Sequence, residues 1–329
     1  MTAPAAGDGR TTVAVGYDGS EPAQAALRYP PEYASAGGYR PRVVHAWIWP
    51  VFTKKLGPVK GVEGSGLRHA AEVVLAEGLK LARAAVAAAP GPSAPGPAAT
   101  TASSSGHREA PSAATGAAPG AAAAARAAEP DSGVEGVMEA GLPAAVLRDA
   151  ARDASLLAVS SRGLGGVLGH VAGSVCLDLA GSSPCPLMVI RRPRSPGQAA
   201  GPVVVGIDGT DRSSAALAGA ARLAGRLGTT LRIVHIDQPR GGAREGHGRH
   251  GPLRGQELLD HTLEEARKLA PGLSVSGVLR EGHTASKELL AAAGDAEVLV
   301  IGTHNREGAP GNTVTRILNK ARCNVLITR

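Results

Sequence analysis

Aromatic side chains are almost missing from this chain of 329 residues. Phe, Trp and Tyr make up 2% of it, and all seven lie between Tyr17 and Phe52. Beyond Phe52 a core must be packed with Val, Leu, Ile and Ala. Single-strand nucleic-acid binding on stacked aromatic rings is therefore disfavoured, and so is an aromatic-rich β-sandwich. Cysteine is scarce as well. Three residues, with no CxxC pair, make neither a disulfide framework nor a zinc site. No apolar run approaches the roughly 18 residues of a membrane helix. Met1 to Arg10 lacks the apolar segment of a secretory signal. A cytoplasmic location, with no membrane and no nucleic-acid partner, is the expectation. The P-loop pattern GxxxxGK[ST] is absent, and no GxGxxG follows the first strand, which disfavours both P-loop and dinucleotide Rossmann sites.

What the chain has is an internal repeat. Val13-Ala14-Val15-Gly16-Tyr17-Asp18-Gly19-Ser20 returns as Val203-Val204-Val205-Gly206-Ile207-Asp208-Gly209-Thr210. Arg42-Val43-Val44-His45 returns as Arg232-Ile233-Val234-His235, and Leu156–Ser160 as Val298–Gly302. Cys185-Pro186-Leu187-Met188-Val189-Ile190 returns as Cys323-Asn324-Val325-Leu326-Ile327-Thr328. The copies start 190 residues apart, so each is a domain. The expected division is a tail at 1–10, a first domain at 11–190, a linker at 191–201 and a second domain at 202–329.

In the first copy, short apolar runs at 13–17, 42–47, 134–139, 156–160 and 187–190 read as strands. Helix candidates at 20–36, 66–89, 142–153 and 173–182 separate them. Strand–helix alternation predicts parallel strands covered on both faces. Right-handed crossovers then give two tandem doubly wound open parallel sheets of five strands each. Ala87 to Gly133 contains no Val, Ile, Leu, Met or aromatic residue. Such a segment buries too little apolar surface to offset chain entropy, so residues 90–130 are expected to be a disordered insertion.

A doubly wound sheet binds ligands beyond the carboxyl ends of its strands, where strand order reverses. Here that point falls between the first and fourth strands. Asp18 ends the first, as an acceptor for a ribose hydroxyl or a bound metal. After the fourth runs Ser160 to Val175, rich in glycine, and Gly173-Ser174 opens a helix whose free N–H groups suit an anion. Arg162 and His170 add charge there. An ordinary glycine-rich turn stands beside this as the plain structural reading. His45 and His235, at matching positions, read as structural. His247, His250 and the arginines at 240, 244, 249 and 254 read as a solvated loop. Cys185 and Cys323 read as small buried residues, and Cys176 as helix core.

These features together resemble the universal stress protein (UspA-like) family in its tandem form. The family pattern G-x2-G-x9-G-[ST] is matched by Gly163, nine residues, then Gly173-Ser174, with Ser160 in place of the first glycine. Leu156 to Gly166, Gly141-Leu142-Pro143-Ala144 and Cys185-Pro186-Leu187 are also family-like. The resemblance implies an adenine nucleotide alpha hydrolase-like fold. It implies ATP, carried with Mg2+, on Asp18, Ala46, Ser160, Arg162, Gly163, Gly166, Gly173, Ser174 and Val175. Asp18 would contact the nucleoside end and the Ala46 backbone the base edge. It further implies pairing of final strands, either within the chain or in a homodimer, and a regulatory protein partner in the stress response. In the second copy Asp208 and Gly302 are kept. Asn305 replaces the second glycine, the loop Arg306–Gly311 is shorter than nine residues, and Asn312-Thr313 stands where Gly-Ser would precede Val314, matching Gly173-Ser174 before Val175. That copy is expected to be degenerate. A non-nucleotide interaction module and a weak ATP hydrolase are the alternative readings. No G-x-S-x-G elbow or metal-ligand pair marks the chain as an enzyme.

Overall fold

The computed structural model describes residues 11–28, 38–47, 65–88, 125–127, 133–163, 172–192, 194, 198–237, 253–282, 284–303 and 308–329. In the first half the elements run β1 (Thr11–Gly16), α1 (Glu21–Arg28), β2 (Tyr39–Trp47), α2 (Ser65–Ala88), β3 (Ala125–Ala127), β4 (Glu135–Ala140), α3 (Pro143–Ala150), β5 (Leu156–Ser160), α4 (Ser174–Ser182) and β6 (Leu187–Ile190). The second half repeats the plan as β7 (Val203–Ile207), α5 (Asp211–Leu227), β8 (Leu231–Asp237), α6 (Gly255–Leu269), β9 (Val275–Glu281), α7 (Ala285–Ala292), β10 (Val298–Gly302), α8 (Asn312–Lys320) and β11 (Asn324–Thr328).

The five expected strands of each copy are present and parallel. The order β4-β2-β1-β5-β6 puts the reversal between β1 and β5, and β9-β8-β7-β10-β11 repeats it. The two five-stranded parallel sheets join into one sheet of eleven strands with β3, because β6 and β11 pair antiparallel, Val189 opposite Val325 and Leu187 opposite Ile327, the pairing of final strands within the chain that the resemblance implies. Both strands are buried, and the residues paired across the joint are apolar. An unpaired edge of that kind would leave its backbone groups and its apolar faces exposed. One expectation needs correction: the segment expected to be disordered supplies a strand. Ala125–Ala127 forms β3, antiparallel to β4, where Arg126 lies opposite Val137. Backbone hydrogen bonding to an open edge does not require the apolar side chains that the segment lacks. The remainder of 90–130, and residues 29–36 of the first predicted helix, lie outside the described residues.

The strands are apolar on both faces because helices cover both. Val13, Val15, Val203 and Val205 face one layer with α1, α2, α5 and α6. Ala14, Leu157, Val204 and Leu299 face the other, with α3, α4, α7 and α8. Each layer is continuous across the β6–β11 joint, since Met188 and Leu326 belong to one and Leu187 and Ile327 to the other.

Polar groups fix the joint's register. The buried Asn324 side chain accepts from the backbone N–H of Arg191 (2.8 Å) and Arg192 (3.0 Å) and donates to the Arg192 carbonyl (3.1 Å). Two arginines then cross it symmetrically. Arg191, after β6, donates to the Leu318 carbonyl in α8. Arg329, after β11, donates to the carbonyls of Leu179 and Ala180 in α4 (3.1 and 3.0 Å). Each guanidinium meets the negative end of the other half's helix, and burial lowers the pKa of both.

Candidate functional site

The carboxyl ends of β1, β2 and β5 meet at the order reversal, and local sequence decides what each presents there. After Gly16 the chain leaves the sheet. Asp18 Oδ1 accepts from the backbone N–H of Ser20 (3.0 Å) and from its hydroxyl (2.6 Å), a side-chain turn of the kind aspartate favours. Gly19 completes it at φ +83°, where a side chain would be strained. The Ser20 hydroxyl in turn accepts from Ala23 N–H at the start of α1 (3.3 Å). The carboxylate is therefore held in one place.

Asp18 points at Gly163. A Cβ built at position 163 would overlap Asp18 Oδ2, so the β1 and β5 loops approach this closely only with glycine there. The β5 loop is stiffened by its own bonds. Ser160 Oγ donates to the Arg162 carbonyl (2.6 Å), and Cys176 Sγ donates to the Ser160 carbonyl (3.0 Å). Gly173 N–H donates to the Ser161 carbonyl (3.0 Å), which draws the start of α4 against the end of β5. Ser160 thus fits where the family pattern has glycine, with its hydroxyl used inside the loop. The corresponding Gly302 has no such freedom, because a Cβ there would lie 3.0 Å from the Arg212 carbonyl.

Gly173 is the N-cap of α4, at φ −65° and ψ 155°, and no side chain caps the helix among the described residues. Ser174 is exposed and Val175 half-buried beside it. Position 173 has ordinary backbone angles, and a Cβ there would meet only the Ser161 carbonyl, at 3.7 Å. Within the described residues nothing demands glycine at this position, yet its absent side chain leaves the first N–H groups of α4 open to approach.

Ala46 stands one strand away. The last β1–β2 bond runs from Tyr17 N–H to the Val44 carbonyl (2.9 Å). Backbone direction repeats every second residue along a strand. The N–H and C=O of Ala46 therefore face the side that β1 has left at Asp18. The Tyr17 carbonyl accepts instead from His45 Nδ1 (2.8 Å), which fixes the proton on that nitrogen, since a carbonyl only accepts. His235 makes the same bond to the Ile207 carbonyl (3.1 Å). Both histidines hold the chain entering the aspartate turn, as the sequence reading expected.

Asp18, Ala46, Ser160, Arg162, Gly163, Gly173, Ser174 and Val175 thus lie at the carboxyl ends of β1, β2 and β5 and at the start of α4. Gly166 and His170 lie outside the described residues. Sequence reasoning missed Ser20, which orients Asp18, and the thiol of Cys176, which ties α4 to β5. The Asp-Gly-Ser and Asp-Gly-Thr repeats carried a signal for the first. The second depends on how α4 folds back against the end of β5, sixteen residues earlier.

The second half differs, and here one expectation is corrected. The N-cap of α8 is Gly311, and Asn312 opens the helix as Ser174 opens α4. Pairing Asn312-Thr313 with Gly173-Ser174 by residue type is one residue out of register, because the buried face sets Val314 against Cys176 rather than Val175. Val314 is buried like Cys176, and Ile317 like Leu179. The cap glycine is therefore retained. From Gly302 to Gly311 the chain is nonetheless four residues shorter than from Ser160 to Gly173. Asp208 is exposed, and its Oδ1 is bonded by Thr210 N–H (3.1 Å), Thr210 Oγ1 (2.7 Å) and Ser213 Oγ (2.5 Å). Among the described residues no group of His, Cys, Asp and Glu could hold a metal by itself, and no helix is long and apolar enough to cross a membrane.

The model of the universal stress protein family matches residues 9–191 and again 200–329. Universal stress protein Rv1996 of Mycobacterium tuberculosis is 31% identical over 197 residues, which cover 56% of this chain and 61% of that protein. Universal stress protein Rv2623 of the same organism is 28% identical over 196 residues, 56% of this chain and 64% of that one. The matched region is thus less than two thirds of either relative. A universal stress protein from Archaeoglobus fulgidus has the same fold over 97% of this chain and 96% of its own, with a TM-score of 0.64 at 17% identity.

Proposed function

From membership of the universal stress protein family, to which this chain belongs in both of its halves, we propose that it binds ATP in its first half and acts as a nucleotide-dependent regulator. Asp18 takes the ribose hydroxyls, and the Ala46 backbone meets the edge of the base. Gly163 lets the two loops close, and the open N–H groups at Ser174 and Val175 receive phosphate, with the Ser174 hydroxyl beside them. Arg162 adds positive charge at the rim. Mg2+ enters with the phosphates.

The observation that carries this reading is Gly173. Its glycine has no local structural cause in the described residues, and it keeps the uncapped N-terminus of α4 accessible. An anion at a helix N-terminus meets both free donors and the positive end of the helix dipole. Binding would order the glycine loop and shift a surface that a protein partner reads, in proportion to its differential affinity for the two states. The division into a binding half and a second half that serves it belongs to the same proposal. The chain's role is regulatory, without dedicated catalytic machinery. Asp18 is the group that would assist any slow hydrolysis.

The test is equilibrium binding of Mg-ATP to the full chain and to Ser174→Ala and Asp18→Asn, with phosphate release followed in parallel. Weakened binding in both variants and no sustained release supports the proposal. Unchanged affinity in both overturns the site. Sustained release that is lost in Asp18→Asn would favour the hydrolase instead.

A further inference from the structure

The two halves are related by a constant offset of 138 positions in this region, which pairs Gly173 with Gly311, Cys185 with Cys323 and Arg191 with Arg329. The crossing arginines obey that symmetry. Beside the site, a further contact breaks it, as the Asn324 side chain does at the joint, where the counterpart is Pro186. Asn319, in the last turn of α8, accepts through Oδ1 from the backbone N–H of Ala172, at 3.1 Å. Ala172 is buried, 5% exposed, and it immediately precedes Gly173. A residue of the second half therefore holds the peptide that leads into the N-terminus of α4 in the first.

The reciprocal bond is missing on both sides. Asn319 corresponds to Gly181, which has no side chain to send. Ala172 corresponds to Pro310, which has no N–H to offer. Gly181 is also crowded. A Cβ there would collide with the backbone of Gly308 and Ala309, on the shortened loop of the second half. Position 181 is thus committed to packing against that loop, whereas position 319 reaches across with an acceptor. Nearby, Arg329 bonds the far end of α4 through two carbonyls. The second half grips α4 at its C-terminal end and at its entry.

We propose that Asn319 is a positioning residue for the nucleotide site of the other half, holding the Ala172 peptide so that the first N–H groups of α4 keep a fixed aim. The proposal rests on the nucleotide reading above and extends it. The second half is a structural arm of the first half's site. Removing one neutral hydrogen bond from an organised site is expected to weaken ATP binding by about fivefold.

The experiment uses the full chain with Asn319→Leu, which keeps volume without an acceptor, and Asn319→Asp, which keeps an oxygen acceptor. Amide exchange is measured without nucleotide, and Mg-ATP is titrated afterwards. In Asn319→Leu, exchange over residues 172–176 is expected to quicken by about fivefold, while β6 and β11 stay as protected as in the unsubstituted chain. Asn319→Asp is expected to restore slow exchange, and ATP affinity is expected to fall in the leucine variant. Unchanged exchange at 172–176 overturns the proposal, and so does loss of protection throughout β6 and β11, because Asn319 would then hold the joint rather than the site. If the unsubstituted chain binds no ATP, the nucleotide reading fails on its own. Exchange at 172–176 then decides alone whether the cross-half positioning stands.

Discussion

Gly173→Ser separates a phosphate cradle from an ordinary turn, because the two readings give opposite expectations for it. At φ −65° and ψ 155° the backbone accepts any L residue, and a Cβ meets only the Ser161 carbonyl at 3.7 Å. Serine is a better N-cap than glycine by a few tenths of a kcal/mol. Its hydroxyl would accept from the N–H of Val175 or Cys176, groups that α4 leaves without a side-chain cap. The variant should therefore fold as well as the parent, with a melting temperature unchanged or raised by about 1 °C for a chain of this size. Binding should move the other way. The serine occupies one donor that a phosphate oxygen would use, and it stands in the line of approach. A hydrogen bond to a charged group contributes about 1.5–3 kcal/mol, so ATP affinity should drop by about 10- to 100-fold. Thermal unfolding without nucleotide and calorimetric titration with Mg-ATP measure the two quantities on one preparation. Parental affinity in a stable Gly173→Ser variant would refute the cradle. Loss of stability would refute the claim that position 173 carries no structural demand.

The cysteines give a second expectation. Burial raises the thiol pKa to about 12 at Cys176 and about 11 at Cys185 and Cys323, so alkylation at pH 8 should be negligible in the native chain and complete in denaturant, by mass spectrometry. Fast native labelling would contradict their burial. The Arg232–Asp295 pair (2.7 Å) gives a third. Arg232 holds the Asp295 carboxyl below its ordinary value of 3.8. Its contribution is present above about pH 4 and is lost as pH falls through the lowered folded value. Urea unfolding of Asp295→Asn should accordingly lose part of the acid-side slope below pH 4 and keep the neutral-side behaviour. An unaltered acid limb would show that the exposed carboxylate adds nothing.

Much of this architecture was legible in the chain because both halves state it twice. Apolar runs such as Val13-Ala14-Val15 and Val203-Val204-Val205 are buried on both faces, and such runs mark interior parallel strands. The Asp18 turn and a helix opening at Gly173-Ser174 could be read locally, whereas Gly163 came from the family pattern, and its need for glycine arises from Asp18, 145 residues away. The joint was visible only as a resemblance. Nothing in Leu187–Ile190 or Asn324–Thr328 by itself names the partner of a buried strand. β3 escaped because Ala125–Ala127 is held by backbone bonds, for which side-chain patterns give no signal. The register of α8 was misread because Val314 resembles Val175 in type, whereas burial aligns it with Cys176. Asn319 was beyond reach of the sequence. Its role depends on where a helix of one half ends against a loop of the other.

The central claim is one nucleotide site per chain, in the first half. Calorimetric titration of the full chain with Mg-ATP, repeated on Asp18→Ala and on Asp208→Ala, measures it directly. A stoichiometry near one is expected, disappearing in Asp18→Ala and surviving in Asp208→Ala. A stoichiometry near two, or binding abolished by Asp208→Ala and kept in Asp18→Ala, would contradict it.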